Sequence, residues 1–143
     1  MDFELFMSQN KEKLPENVSY APTESFKDAD GNPVEWQFKY LDSDTVRNLR
    51  KKYSRTVEIP GKKGQYTKEL DDDEFLNKMV CEAIVYPDLN NAELQDSYEV
   101  KRPEDLLPKM IDKPGDYDNL ITFVSKLLGY DEINKAVEDA KNS

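Results

Sequence analysis

Histidine is absent from the 143-residue chain, cysteine occurs once, at Cys81, and tryptophan once, at Trp36. Without an imidazole, catalysis by a histidine general base and His-ligated zinc, copper or non-haem iron are excluded. A lone cysteine closes no internal disulfide and builds no thiolate cage, which suits a reducing compartment. No apolar run approaches the ~18–20 residues that span a bilayer. The opening Met1-Asp2-Phe3-Glu4-Leu5-Phe6-Met7 is broken by Glu4 and lacks the basic flank of a secretory signal. Large aliphatics and phenylalanine are also scarce. Leu, Ile, Val and Phe make up 33 of the 143 residues, just above the ~20 % below which highly charged chains stay disordered. The expectation is a cytosolic domain with a modest core.

Charge is abundant. Charged residues form 35 % of the chain and the net charge is −10, which disfavours generic binding to phosphate backbones or anionic membranes; neither nucleic acid nor a membrane is an expected partner. The charge is unevenly spread. Residues 42–70 carry 8 basic and 4 acidic residues, net +4, whereas residues 71–143 carry 8 basic and 18 acidic, net −10. A basic segment beside a long acidic one suits contact with another copy or with a partner of complementary charge.

The length fits one domain of about 100–150 residues with a short appendage. Residues 1–16 read as an N-terminal arm and linker, with Phe3, Phe6 and Met7 on one side of a short helix. Residues 17–143 read as a single α+β domain, strand-rich over 17–70 and helical over 71–143, with N-terminal hairpins packed on the helical half. Val34, Trp36, Phe38 and Tyr40 alternate with polar residues as in a half-buried strand. The turn formers Asp28-Ala29-Asp30-Gly31-Asn32-Pro33 place its hairpin partner at Ser25-Phe26-Lys27. Trp36 is the expected anchor of the core. Asp42 or Ser43 caps a helix over about 44–55, with Val46, Leu49 and Tyr53 on one face and Arg47, Lys51 and Arg55 on the other. Residues 56–59 and 65–68 flank Pro60-Gly61-Lys62-Lys63-Gly64 as a second hairpin with a basic tip.

Asp71-Asp72-Asp73-Glu74 opens a central helix, whose wide apolar arc of Phe75, Leu76, Met79, Val80, Ala83 and Ile84 runs to Tyr86-Pro87. Asn90-Asn91 caps a short helix, Pro103 starts another in which Pro108 forces a kink or a later start, and a third follows Pro114-Gly115. Its face is Tyr117, Leu120, Ile121, Phe123, Val124, Leu127 and Leu128, with Ser125 on the polar side and Gly129 as C-cap. Ile133, Ala136, Val137 and Ala140 have the spacing of a last helix.

None of the candidate chemistry survives inspection. Asp28-Ala29-Asp30-Gly31-Asn32 begins like a calcium loop, but its glycine falls at loop position 4 and Lys39 stands where a bidentate Glu is required. Asp71 to Glu74 point about 100° apart in succession and dress a helix N-terminus rather than converge on an ion. Cys81 lacks a basic partner and reads as packing. No cofactor, metal or catalytic residue is expected.

Phe26-Lys27-Asp28 through Gly31-Asn32-Pro33-Val34-Glu35-Trp36, then residues 63–71, then Tyr86-Pro87-Asp88-Leu89 and Ala92 to Tyr98, then Leu106-Leu107, Met110 and Pro114-Gly115-Asp116-Tyr117, form an ordered set of blocks. Together they resemble the XkdN-like phage tail assembly chaperones over roughly 105 residues. The pattern departs from that family at Glu99, near which a glycine is expected, and at Pro108, where no proline is expected; the first 20 residues match weakly. The resemblance implies a non-enzymatic protein of tailed phages and prophages of Gram-positive bacteria. Such a protein coats the tape measure protein in the host bacterial cytosol, helps recruit tail tube protein and is absent from the mature virion. It also implies, in relatives, a frameshifted longer form; self-association is the expectation from the charge pattern. Arg47, Lys51, Arg55, Lys62 and Lys63 are the expected electrostatic contacts, and Tyr86, Leu89 and Tyr98 the expected apolar anchors. The alternative reading is an acidic DNA mimic or inhibitor that binds a nucleic-acid-handling protein, against which the +4 segment argues.

Overall fold

A computed structural model describes residues 2–14 and 16–130; the last helix expected from Ile133, Ala136, Val137 and Ala140 lies outside the described residues. Among the described residues, five strands and five α-helices follow two short 3-10 turns, Phe3–Phe6 and Ser8–Asn10. They are β1 (Val18–Tyr20), β2 (Trp36–Phe38), α1 (Ser43–Lys52), β3 (Ser54–Glu58), β4 (Tyr66–Leu70), α2 (Asp72–Ala83), β5 (Ile84–Tyr86), α3 (Ala92–Ser97), α4 (Pro103–Met110) and α5 (Pro114–Leu127). The class is α+β, as expected.

A small antiparallel sheet in the order β1-β2-β5 packs on the helices. Trp36 and Phe38 point into the core, 2 % and 0 % exposed, while Glu35 and Lys39 face outward, so the alternation holds. Tyr20 stacks on Phe123 of α5 with ring centroids 4.1 Å apart, and Phe38 meets the same ring edge-on at 5.1 Å, joining sheet to helix. Thr23 adds a polar tie, its Oγ1 donating to Asp116 Oδ2 at 2.9 Å.

Two strand assignments differ from expectation. The partner of β2 is Val18–Tyr20, not Ser25-Phe26-Lys27, which contributes only a bridge between Lys27 and Pro33. Asp28 closes that turn by accepting from the N–H groups of Asp30 and Asn32, and Pro33, having no N–H, stops the ladder from lengthening. The central helix ends at Ala83 rather than near Tyr86, because Ile84-Val85-Tyr86 is β5. Two β-branched residues and a tyrosine favour extended backbone, and the open edge of β2 receives them.

Helix α1 is capped by Asp42, whose side chain accepts from Thr45 N–H, and stops at Lys52, so Arg55 lies on β3 and not on the helix face with Arg47 and Lys51. Ser54 ends the helix by donating its hydroxyl to the Arg50 carbonyl. In α5 the expected apolar face is present, with Leu120, Ile121 and Val124 buried, but Ser125 is buried too.

Candidate interaction surfaces

Strands β3 and β4 form a separate two-stranded ribbon with five register pairs, from Ser54↔Leu70 to Glu58↔Tyr66. Leu70 plugs its base into the core, and Asp71 N–H donates to the Tyr53 carbonyl there. Beyond the base, both faces are largely solvated and, among the described residues, each strand keeps an unpaired outer edge. The ribbon carries Arg55, Lys62, Lys63 and Lys68 against Glu58 and Glu69, with Tyr66 exposed. Isolated two-stranded ribbons are marginal in water, so this one is exposed beyond what its own packing justifies.

The expected electrostatic residues fall on this ribbon and the neighbouring helix. Arg47 is held by Asp44 at 2.6 Å and Arg55 lies 3.7 Å from Glu69, both pairs solvent-exposed and worth ~0–1 kcal/mol each. Lys51, Lys62 and Lys63 are exposed and make no ion pair among the described residues. Of the expected apolar anchors only Tyr86 is open, 57 % exposed on the outer edge of β5 beside exposed Val85. Leu89 is a correction: it is 4 % exposed and belongs to the core, its carbonyl accepting from Gln95 Nε2 at 2.7 Å. Tyr98 is half-buried against the same core.

Residues outside the expected set complete the apolar surface. Phe3, Leu5, Phe6 and Met7 are all half-exposed or more, Phe6 reaching 80 %. The turn that holds them is fixed locally by Asp2 at its N-cap and by Asn10 Nδ2 on the Glu4 carbonyl. The signal lay in Leu5: with Phe3 and Phe6 it surrounds a single turn with apolar side chains, which no one-sided packing can cover.

A groove of about 720 Å³ opens between α2, the 99–101 loop, α4 and α5. Five carboxylates and two lysines line it, over apolar surface from Val100, Pro108 and Tyr117. Glu104 is already engaged, 2.8 Å from Lys78, and Asp105 pairs with Arg102. That leaves Asp73, Glu74 and Glu99 as the acidic rim. Beneath it, burial alone would push the Lys78 ammonium down, but hydrogen bonds and attraction from Glu104 and Glu82 hold it above its ordinary value. Burial likewise opposes the Glu104 charge, and Lys78 outweighs it, holding the carboxyl below the usual range. Cys81 donates weakly to the Pro103 carbonyl, and burial pushes its thiol up to about 12, so the thiolate that nucleophilic or metal chemistry needs is suppressed. Among the described residues no group of His, Cys, Asp and Glu is arranged to hold a metal, and no helix is long and apolar enough to cross a membrane.

Comparison with known proteins places the chain in a family. The fold matches the crystal structure of the protein YqbN with a TM-score of 0.73 at 24 % identity, over 92 % of this chain and 98 % of that one. YqbN of Bacillus subtilis (strain 168) is 26 % identical over 125 residues, covering 87 % of this chain and 83 % of YqbN. The phage-like element PBSX protein XkdN of the same organism is 24 % identical over 138 residues, 96 % of this chain and 92 % of XkdN. The pattern that defines the phage XkdN-like tail assembly chaperone proteins matches residues 3–141, nearly the whole chain including the exposed arm, and the protein belongs to that family.

Proposed function

We propose that the protein is a non-enzymatic chaperone that binds the tape measure protein in the host cytosol, helps recruit tail tube subunits and leaves before the tail is finished. Family membership carries the general role. The observation that supports the finer one is the exposed apolar set, Phe3, Leu5, Phe6 and Met7 on the arm with Val85 and Tyr86 on β5. A long aggregation-prone helical client is held by many weak apolar contacts repeated along its length, not by one deep pocket. The basic residues Arg47, Lys51, Arg55, Lys62 and Lys63 supply the electrostatic part of assembly, between chaperone copies or longer frameshifted forms. The same basic ribbon interrupts any uniformly phosphate-like surface, which weighs against a DNA mimic. Co-expression with the tape measure protein tests the reading. The soluble yield of that protein rises severalfold with the chaperone and falls back with Phe3→Ser, Phe6→Ser and Tyr86→Ser together; a yield unchanged by the chaperone rejects the function.

A further inference from the structure

We infer that the N-terminal arm is a preformed knob that seats in an apolar cleft between helices of the client, rimmed by lysine or arginine, and that Asn10 is the residue that holds its shape; this rests on the client-binding role proposed above.

The arm is shaped by its own bonds and not by the body of the protein. Residues 2–14 are all exposed, and among the described residues the hydrogen bonds of residues 2–11 stay within the arm. Asp2 accepts from the Glu4 N–H at 3.0 Å. The Glu4 carbonyl accepts twice, from the Met7 N–H at 3.2 Å and from Asn10 Nδ2 at 2.6 Å, so Asn10 ties the second 3-10 turn to the first. These bonds bury no side chain of either turn. What they fix is the outward display of Phe3, Leu5, Phe6 and Met7, each between 50 % and 80 % exposed. A turn already held in shape gives up less conformational entropy on binding than a loose tail does.

The display defines its counterpart. With three residues per turn, Phe3 and Phe6 stand one above the other, and Leu5 and Glu4 each point a third of a turn away. Two sides of the knob are therefore apolar and the third is acidic. A single flat helix face covers one side only, whereas a cleft between two helices covers both apolar sides and leaves Glu4 at its rim. Asp2 and Glu4 are the only charges between residues 2 and 10, so the complementary rim is basic. A second copy does not supply such a cleft. The groove beside α4 has an acidic rim, the basic ribbon exposes only Tyr66 among large apolar residues, and the β5 edge exposes only Val85 and Tyr86. The knob fits a different protein, and the helical client is the one that the proposed role provides.

The test titrates the full chain onto immobilised tape measure protein. Asp2→Asn with Glu4→Gln removes both charges and keeps an N-cap; it weakens binding severalfold at low salt and by less at high salt, where screening has already removed part of the attraction. Asn10→Ala also weakens binding severalfold and leaves Tm unchanged, because the arm lies outside the core. In a Phe3→Ser, Phe6→Ser background it adds nothing, since a lock is without effect once the side chains it presents are gone. Affinity unchanged or raised by neutralising Asp2 and Glu4 overturns the inference, as does an Asn10→Ala loss of equal size in both backgrounds. Variants that lose self-association in sedimentation velocity but keep client binding would place the arm between copies and overturn it too. In each of these cases, a soluble yield of tape measure protein that still rises with the parent chain leaves the chaperone function standing. A parent chain that does not bind the tape measure protein rejects that function and the inference with it.

Discussion

Asn77 shows how one buried side chain resolves a conflict written elsewhere in the sequence. Pro108 has no N–H to give the carbonyl four residues back, so the Glu104 carbonyl loses its bond within α4. Asn77 Nδ2 takes that place at 2.9 Å, and its Oδ1 accepts from the Tyr117 hydroxyl at 2.7 Å, tying α2, α4 and α5 at one point. Asn77→Ala is expected to cost about 2 kcal/mol in denaturant unfolding, because two buried polar groups lose a partner. In a Pro108→Ala background, where the helix supplies its own bond to Glu104, the same change costs about half as much. Equal costs in both backgrounds would contradict this account of Pro108. Glu99 is the second case. The chain leaves α3 through a Schellman turn, with Val100 N–H on the Gln95 carbonyl and Glu99 N–H on Asp96, and Glu99 sits at φ +58°. The end of α5 repeats the same pair of bonds with Gly129 at φ +95°, where glycine carries no strain. Glu99→Gly is therefore expected to stabilise the fold by ~1 kcal/mol, a rise of roughly 2–4 °C in Tm. A lower Tm would show that the side chain offsets its backbone strain.

At the scale of elements, what the sequence announces is what local chemistry decides. Asp42, Asp71 and Asn91 cap their helices through side-chain bonds, and the 60–64 turn formers set a ribbon in register, all from residues a few positions apart. The β1–β2 pairing and β5 were not legible in this way, since both depend on which distant strand fills an open edge. Nor was the burial of Leu89 and Ser125, which is set by neighbours remote in sequence: two residues can lie three positions apart across one proline, as Tyr86 at the end of β5 and Leu89 do, and one be exposed and the other buried. Of the expected contact residues, the five basic ones and Tyr86 are available to a partner, because a run of lysines declares its own solvation and a lone apolar residue does not. The α2–α4 junction contributes to the pH dependence at both ends of the scale. Glu104 has its pKa lowered on folding, so its contribution is present above its unfolded value of about 4.5 and disappears as pH falls through the folded value. Lys78 has its pKa raised, so its contribution is complete below about 10.5 and disappears as pH rises through the folded value. Glu104→Gln should cost ~2 kcal/mol at neutral pH and flatten the acid limb of the stability curve; parallel curves for variant and parent would place the acid sensitivity elsewhere.

The whole molecule combines a small, well-tied core with more exposed apolar and basic surface than its own folding uses. The core is closed by Trp36, Phe38, Phe75 and Met79, and it supports two features that face outward, the apolar arm with the β5 edge and the basic ribbon. The account assigns the first to the client and the second to neighbouring copies, so the two separate experimentally. Light scattering of the tape measure protein diluted from denaturant tests the client contact most directly, with the chaperone added in rising ratio and an inert acidic protein of equal charge as control. The account predicts that scattering falls stoichiometrically without nucleotide, that Phe3→Ser with Phe6→Ser and Tyr86→Ser abolishes the effect, and that the inert protein does nothing. Scattering that is the same with the chaperone as with the inert protein would contradict it.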